Sequence, residues 1–415
     1  MVLWRAQLPF AHQMRYNGPS CTKETCPDPV DSNRTPSPQL TTPVASYVLL
    51  DDAAAMTAYL TDLGRPAALA IDVEADSLYS YQEKACLVQL TTARGNAVLD
   101  PLTAPEGMAA LAPLLADPAV LKVFHGADYD LRQLKKAFGY TVRHIADTTI
   151  AAQLCGRTAF GLAALLAVEF GLELAKEHQR DDWAKRPLNR EQLCYAALDT
   201  AYLLPLWARL RAELEALGRL EWAEEEFTLL EQITPAPPRE PTWMDVKGAY
   251  ALDLHQRAIV QALVGVRDRT ARAWDRPPFK VLGDRVLVGW ALDPPRNRDE
   301  VLRTRGANVG ILRRLAPEVL EAIRHASEKD LPHRPHSTGP HLGPLTAPQT
   351  ARLIRLKTVR QAASERLGLA PGLLGTSETL ERLARLSPRQ AQQGMSELLK
   401  QWQRSVLAEE LLAAW

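Results

Sequence analysis

Between residues 46 and 235, short apolar runs alternate with helix-patterned stretches, and this alternation limits the possible folds more than any other feature of the chain. "SYVLL", "AALAIDVEA", "ACLVQLTT", "NAVLD" and "LKVFHG" are brief, rich in branched apolar residues and bounded by turn formers, so they read as strands. "DDAAAMTAYLTDL" reads as a helix with Asp51 or Asp52 near its N-cap, and "DYDLRQLKKAFG" as one closed by Gly139. "DTTIAAQLCG" and "GLAALLAVEFG" are helices that each end at a glycine. The stretch from Asn189 to Leu217 reads as one long helix capped by Asn189. Strands interleaved with helices predict an α/β domain.

The flanks differ. Residues 1–45 are rich in Pro, Ser, Thr and Asn, too polar to offset ordering entropy, and read as a disordered tail. The α/β pattern with a trailing helix spans 46–235, and a Pro-rich linker covers 236–248. Residues 249–328 read as all-helical with a break at "DRPPF", 329–346 as a second linker, and 347–415 as helical again. His333, His336 and His341 of the second linker sit among prolines without acids or cysteines, and read as loop residues rather than metal ligands. The two helical blocks align without gaps at an offset of 93 residues from Val266, where Val266/Val359, Arg267/Arg360, Pro278/Pro371, Leu287/Leu380, Ala291/Ala384 and Pro295/Pro388 coincide. Their shared layout is a helix, a Pro-containing turn and a second helix.

A net charge of zero hides an asymmetry: residues 1–240 hold 22 Lys and Arg against 31 Asp and Glu, a net −9, and residues 241–415 hold 27 against 18, a net +9. An acidic front and a basic back suit a cation-binding domain joined to a polyanion-binding one. No apolar run is long enough to cross a membrane. The opening residues lack a long apolar core and a cleavage site, which argues against a secretory signal. Five scattered cysteines, with Cys21 and Cys26 lacking a second pair for zinc, suggest reduced thiols and a cytoplasmic location.

In "LAIDVEADSLYS", Asp72 and Glu74 lie at i and i+2, so both leave one strand face while Ile71 and Val73 point to the other. Two hard oxygen donors so placed suit Mg²⁺ or Mn²⁺. Asp76 continues the spacing and reads as solvated. "VFHGADYDLRQL" carries Asp128 and Asp130 at a helix start, where a carboxylate commonly caps. In "CYAALDTAYLLPLW", Tyr195 and Asp199 share a helical face, and Asp199 lies mid-helix among apolar neighbours, which opposes burial unless a cation compensates it.

The order D-x-E on a strand, H-G-A-x-x-D-L before a helix and Y-x-x-x-D on a later helix resembles the DEDD-type 3′–5′ exonucleases of the tyrosine-bearing subgroup. "YQEKACLVQL", "FHGADYDL", Asp147-Thr148, "KEHQRDDWAKRPL" and "YAALDTAYLLPLW" are similar to the ribonuclease D family and its nuclear-exosome relatives. The helical blocks resemble HRDC domains, "RDRPPFKVLGD" more closely than its second copy. The resemblance implies a ribonuclease H-like α/β exonuclease domain followed by two small all-α HRDC-like domains.

It also implies Asp72, Glu74, Asp130 and Asp199 as ligands of two divalent ions, Mg²⁺ or Mn²⁺, with Tyr195 as the added catalytic residue; Glu74 and Tyr195 would orient the attacking water. Asp128 competes with Asp130 for the ligand role, and the family spacing favours Asp130. His125 reads as a structural histidine and Trp183 as a packing residue. Lys176, Gln179 and Arg180 are candidate phosphate contacts, as are Arg303, Arg305, Arg313 and Arg314 of the first helical block. The implied reaction releases nucleoside 5′-monophosphates from RNA 3′ ends, with tRNA precursors or other small RNAs as partners and no membrane or obligate protein partner. A DNA exonuclease and an inactive nucleic-acid-binding scaffold are the alternatives.

Overall fold

The computed structural model describes residues 45–174, 177–237, 239–331 and 343–415. The expected tail up to residue 44, Lys176, His333, His336 and His341 lie outside the described residues. The first part comprises β1 (Tyr47–Leu50), α1 (Ala53–Leu63), β2 (Ala68–Ala75), β3 (Ala85–Thr92), β4 (Gly95–Leu99), α2 (Ala112–Ala116), β5 (Leu121–Phe124), α3 (Asp128–Phe138), β6 (Ile145–Asp147), α4 (Thr148–Leu154), α5 (Leu162–Phe170), α6 (Arg190–Ala201), α7 (Leu203–Ala216) and α8 (Leu220–Leu230).

The strands form a six-stranded sheet in the order β1-β4-β3-β2-β5-β6. β2, β3 and β4 pair antiparallel, and β1, β5 and β6 join parallel to β4, β2 and β5. β2 is therefore central, and its register sets Asp72 opposite Gln89 and Glu74 opposite Leu87. Ile71 and Val73 pack with Met56, Leu60, Leu131 and Leu134 on one face. The opposite face, which carries Asp72 and Glu74, is covered by α6 through Leu193, Ala196 and Ala197 against Leu87 and Val98. A bulge after Glu74 ends the regular pairing.

Three sequence expectations change. β6 was not foreseen as a strand, and only its last residue, Asp147, fell in an expected helix; its three residues pair beside β5 and are buried, and they are too few to show an alternation. The long helix expected from Asn189 is two helices that break at Tyr202, because Pro205 has no N–H to donate and crowds the carbonyl of Ala201. Asp76, read as solvated, is fully buried: it accepts from the Lys84 amide at 2.7 Å and from Ser80 Oγ at 2.5 Å, closing the loop 76–84 on itself.

A first helical group contains α9 (Leu254–Ala273), α10 (Pro278–Val281), α11 (Asp284–Leu292), α12 (Arg298–Leu302) and α13 (Val309–Arg324), with its own core of Val260, Leu263, Val264, Leu287, Leu312 and Val319. Trp243, Val246 and Ala249, just before α9, pack into that core. A last group contains α14 (Ala347–Leu367), α15 (Ser377–Arg385), α16 (Ala391–Leu398) and α17 (Gln401–Ala413). It shares one continuous core with the sheet domain, running from Val123, Leu154 and Leu206 to Leu356, Leu380 and Leu407. Arg219 bridges the two by donating to the carbonyls of Leu154 and Leu367, both at 2.7 Å. Gly156 (φ 86°) lies so close to Gly368 that an added Cβ would come within 2.8 Å of its carbonyl oxygen. Among the described residues, no helix is long and apolar enough to cross a membrane.

Candidate active site

Four elements converge at the end of β2. β2 supplies Asp72 and Glu74 directly. β5 leads through Gly126, at φ 81°, into α3. The Asp147 carboxylate fixes that turn, accepting from Gly126 N at 3.1 Å and Ala127 N at 2.8 Å, and also caps α4 through Thr149 N at 2.7 Å. α3 then presents Asp130 inward, buried, while Asp128 is exposed and paired with Arg132 at 2.8 Å. The salt bridge holds the Asp128 carboxyl below its usual range.

α6 brings Tyr195 and Asp199. Its position is set from upstream: Arg186 makes a two-pronged ion pair with the buried Asp100, at 2.6 and 2.8 Å, and Asn189 forms a reciprocal cap with Gln192. Trp183 is buried and packs 6.1 Å from the Tyr195 ring.

Asp72, Glu74 and Asp199 each offer a carboxylate oxygen within 4.8 Å of the others. Asp130 faces them from α3, close enough that Asp72, Glu74 and Asp199 all act on its charge, although it lies outside that tightest group. Burial, then the neighbouring acids, raises all of their pKa values: Asp72 to about 6 by burial, Glu74 to about 10 by burial and the charges of Asp72, Asp199 and Asp181, and Asp130 and Asp199 well above the carboxylate range. An all-carboxylate, oxygen-only donor set fits a hard divalent ion.

The Tyr195 phenol is raised above its ordinary value by burial and by Asp199, Glu74 and Asp72, so it stays protonated at neutral pH. Gln179 and Asp199 both act on its hydroxyl, and the His178 ring packs edge-on against it at 5.8 Å. Gln179 and Arg180 are exposed on the loop beside it. His125 contacts Thr148 Oγ1 at 2.9 Å, and burial lowers its pKa, so it is a neutral structural residue. Arg303, Arg305, Arg313 and Arg314 lie exposed on the first helical group, remote in sequence from the acids, with Arg314 over the Trp274 ring at 5.7 Å.

The sequence reading missed Asp181, which acts on Glu74 and accepts from Gln192 Nε2 at 2.9 Å and pairs with His178 at 2.8 Å. Its place in the "KEHQRDDW" segment was the available signal. Asp147 was noted only as part of a motif; its link to two helix starts is a tertiary fact.

Residues 47–215 match the 3′–5′ exonuclease family model, and residues 256–323 match the HRDC domain model. A ribonuclease D of Gluconacetobacter diazotrophicus is 31% identical over 371 residues, covering 88% of this chain and 92% of the relative. The chain belongs to the ribonuclease D family. Ribonuclease D of Escherichia coli is 30% identical over 355 residues, 83% of this chain and 92% of that protein. The crystal structure of the Escherichia coli enzyme superposes with a TM-score of 0.65 at 27% identity, covering 89% of this chain and 98% of that one. Membership makes the chain a 3′–5′ exoribonuclease with a mixed α/β exonuclease domain and an HRDC domain, and the DNA-exonuclease and inactive-scaffold alternatives are not favoured.

Proposed function

We propose that Asp72, Glu74, Asp130 and Asp199 hold two divalent ions, Mg²⁺ or Mn²⁺, and that the enzyme acts in the cytoplasm on the 3′ ends of tRNA precursors or other small RNAs, releasing nucleoside 5′-monophosphates. The observation that carries this is the meeting of three carboxylates within 4.8 Å, with the charges of Asp72, Asp199 and Asp181 all acting on Glu74. When bound, such ions lower the pKa of a coordinated water and stabilise a leaving oxygen. Glu74 orients the attacking water as an acceptor. Tyr195, protonated at neutral pH, orients it as a donor and is a poor base. Gln179 holds the phenol in place from the adjoining loop.

Asp130 rather than Asp128 is the fourth ligand, since Asp128 is exposed and committed to Arg132. RNA backbone contacts fall to Gln179 and Arg180 near the site and to Arg303, Arg305, Arg313 and Arg314 on the HRDC domain. The Escherichia coli relative is described as an exoribonuclease involved in structured RNA processing, which supports a structured substrate.

The last helical group is a second HRDC-like domain. In its support, α9, α10, α11 and α12 begin at Leu254, Pro278, Asp284 and Arg298, and the elements beginning at Ala347, Pro371, Ser377 and Ala391 each follow at the same 93-residue offset. Arg267 Nη1 donates to the Leu282 carbonyl at 3.4 Å and Arg360 Nη1 to the Gly375 carbonyl at 2.7 Å, again at that offset.

Digestion of a 3′-extended tRNA, resolved by length with and without EDTA, tests the reading. Stepwise shortening with Mg²⁺, stopped by EDTA and by Asp199→Asn in a folded protein, is expected. Undiminished trimming by Asp199→Asn would discard the ligand assignment.

A further inference from the structure

The loop 76–84 follows directly from the strand that bears Asp72 and Glu74, and it is the place where the HRDC domain touches the exonuclease domain through polar side chains. Tyr81 is the centre of that contact. Its backbone amide donates to Asp275 Oδ1 at 3.0 Å, and its phenol donates to Asp268 Oδ1 at 2.7 Å. The Arg272 guanidinium lies over its ring at 5.5 Å and donates to its hydroxyl at 3.3 Å. Lys84 reaches Asp275 at 3.8 Å from the other end of the loop. Asp268 is buried, so an unfilled acceptor there would be costly.

The same loop reaches the catalytic side by two further contacts. Tyr79 donates its hydroxyl to the Arg180 carbonyl at 2.6 Å, while the Lys280 ammonium of the HRDC domain sits 4.1 Å over its ring. Arg180 lies in the segment whose His178 ring packs edge-on against Tyr195 at 5.8 Å and whose Asp181 accepts from Gln192 of α6 at 2.9 Å. Glu83 accepts from Tyr129, the neighbour of Asp130. The interior of the loop is held by Asp76. Beside these contacts lies a cleft of about 1410 Å³ with a mixed lining, Lys136, Arg239 and Glu240 together with Leu102 and Phe138, and the Tyr81 ring packs against the HRDC core as well.

We propose that Tyr81, clamped by Asp268, Arg272 and Asp275, is a positioning residue: docking of the HRDC domain orders the loop 76–84 and, through Tyr79 and Arg180, the segment 177–182 that holds Tyr195 in place. The HRDC domain thereby sets the turnover rate in addition to any RNA affinity. The inference rests on the roles given to Tyr195 and Glu74.

The test uses the full chain with Tyr81→Phe, which keeps the ring and removes the bond to Asp268, and with Asp275→Ala, which removes the bond to the Tyr81 amide from the opposite side. Amide hydrogen exchange is followed in segments 76–84 and 177–182, alongside kcat and KM on a short unstructured oligoribonucleotide. Both variants are expected to speed exchange in both segments by about tenfold, the scale of one hydrogen bond to a charged group, and to lower kcat with KM little changed. Asp268→Asn, which can still accept from the phenol, is expected to stay near wild type. Unchanged exchange in 177–182 for both variants, or a KM effect with kcat intact, would overturn the proposal. Exchange is read without turnover, so a failure of the ligand assignment in Asp199→Asn remains a separate result.

Discussion

Replacing Asp72 by Asn should make the metal-free protein harder to melt while destroying its activity. The Asp72 carboxyl has a pKa of about 6 in the fold against an ordinary 3.8, because burial penalises its charged form. That raised value means the protonated form is favoured in the native state. Well below the ordinary carboxylate pKa both folded and unfolded chains hold the proton, and nothing is lost. As pH rises towards about 6 the unfolded chain gives up its proton first, native stability falls, and above that pH the full penalty applies. A difference of about two pKa units corresponds to about 3 kcal/mol. Asp72 is only partly enclosed, so solvent screening brings this to about 1–3 kcal/mol. In a chain of 415 residues that is a rise of about 1–3 °C in melting temperature. Asn copies the neutral acid and escapes the penalty. Calorimetry in EDTA near pH 8 should therefore show Asp72→Asn melting above wild type, with the gap closing near pH 4. Excess Mg²⁺ should raise the wild-type melting temperature and move the variant less. Equal melting in EDTA at the higher pH, or a gap that ignores pH, would refute the account of a strained acidic cluster awaiting cations.

Two further results are expected. Trp402 is buried, stacks on Trp222 at 5.0 Å and donates to Glu226 at 2.8 Å, so Trp402→Ala should lower stability by about 3–5 kcal/mol in urea unfolding; an unchanged midpoint would mean the last helical group is not part of the shared core. Reversing Arg313 and Arg314 to Glu should weaken RNA binding and flatten its dependence on salt by about one logarithmic unit per lost phosphate contact, whereas an identical salt slope would remove these arginines from the RNA path.

The sheet and most of the site were legible because they rest on local periodicity. Asp72 and Glu74 were separable from Ile71 and Val73 by a period of two alone, and Asp199 stood out as a charge among apolar helical neighbours. Asp128 and Asp130 were harder, since both occupy the first turn of one helix; the Arg132 partner and the depth of α3 distinguish them. β6 offered three residues, too few for a pattern. Asp76 was misread because a carboxylate after a strand end is commonly solvated, and only the return of the chain at Lys84 supplies the amide that satisfies it. Tyr81 and Asp268 are 187 residues apart, and nothing near either announces the other.

The two helical groups resemble each other in layout, yet they are attached by different physics. The last group has no separate core: Leu356, Leu380 and Leu407 continue the cluster that begins under the sheet, and Glu225 accepts from the first amides of α17 at 2.7 and 2.8 Å. Cutting the chain near residue 240 would leave that apolar face in water, so truncation there measures lost folding as well as lost binding. The HRDC domain keeps its own core and meets the exonuclease domain through Tyr79, Tyr81 and Lys84. Apolar burial of that extent fixes a position, whereas the HRDC contact depends on a few hydrogen bonds whose loss is costly only while their partners stay buried. The Tyr81 contact sits on the loop that continues from the strand bearing Glu74, so a shift of the HRDC domain reaches the acids through that loop.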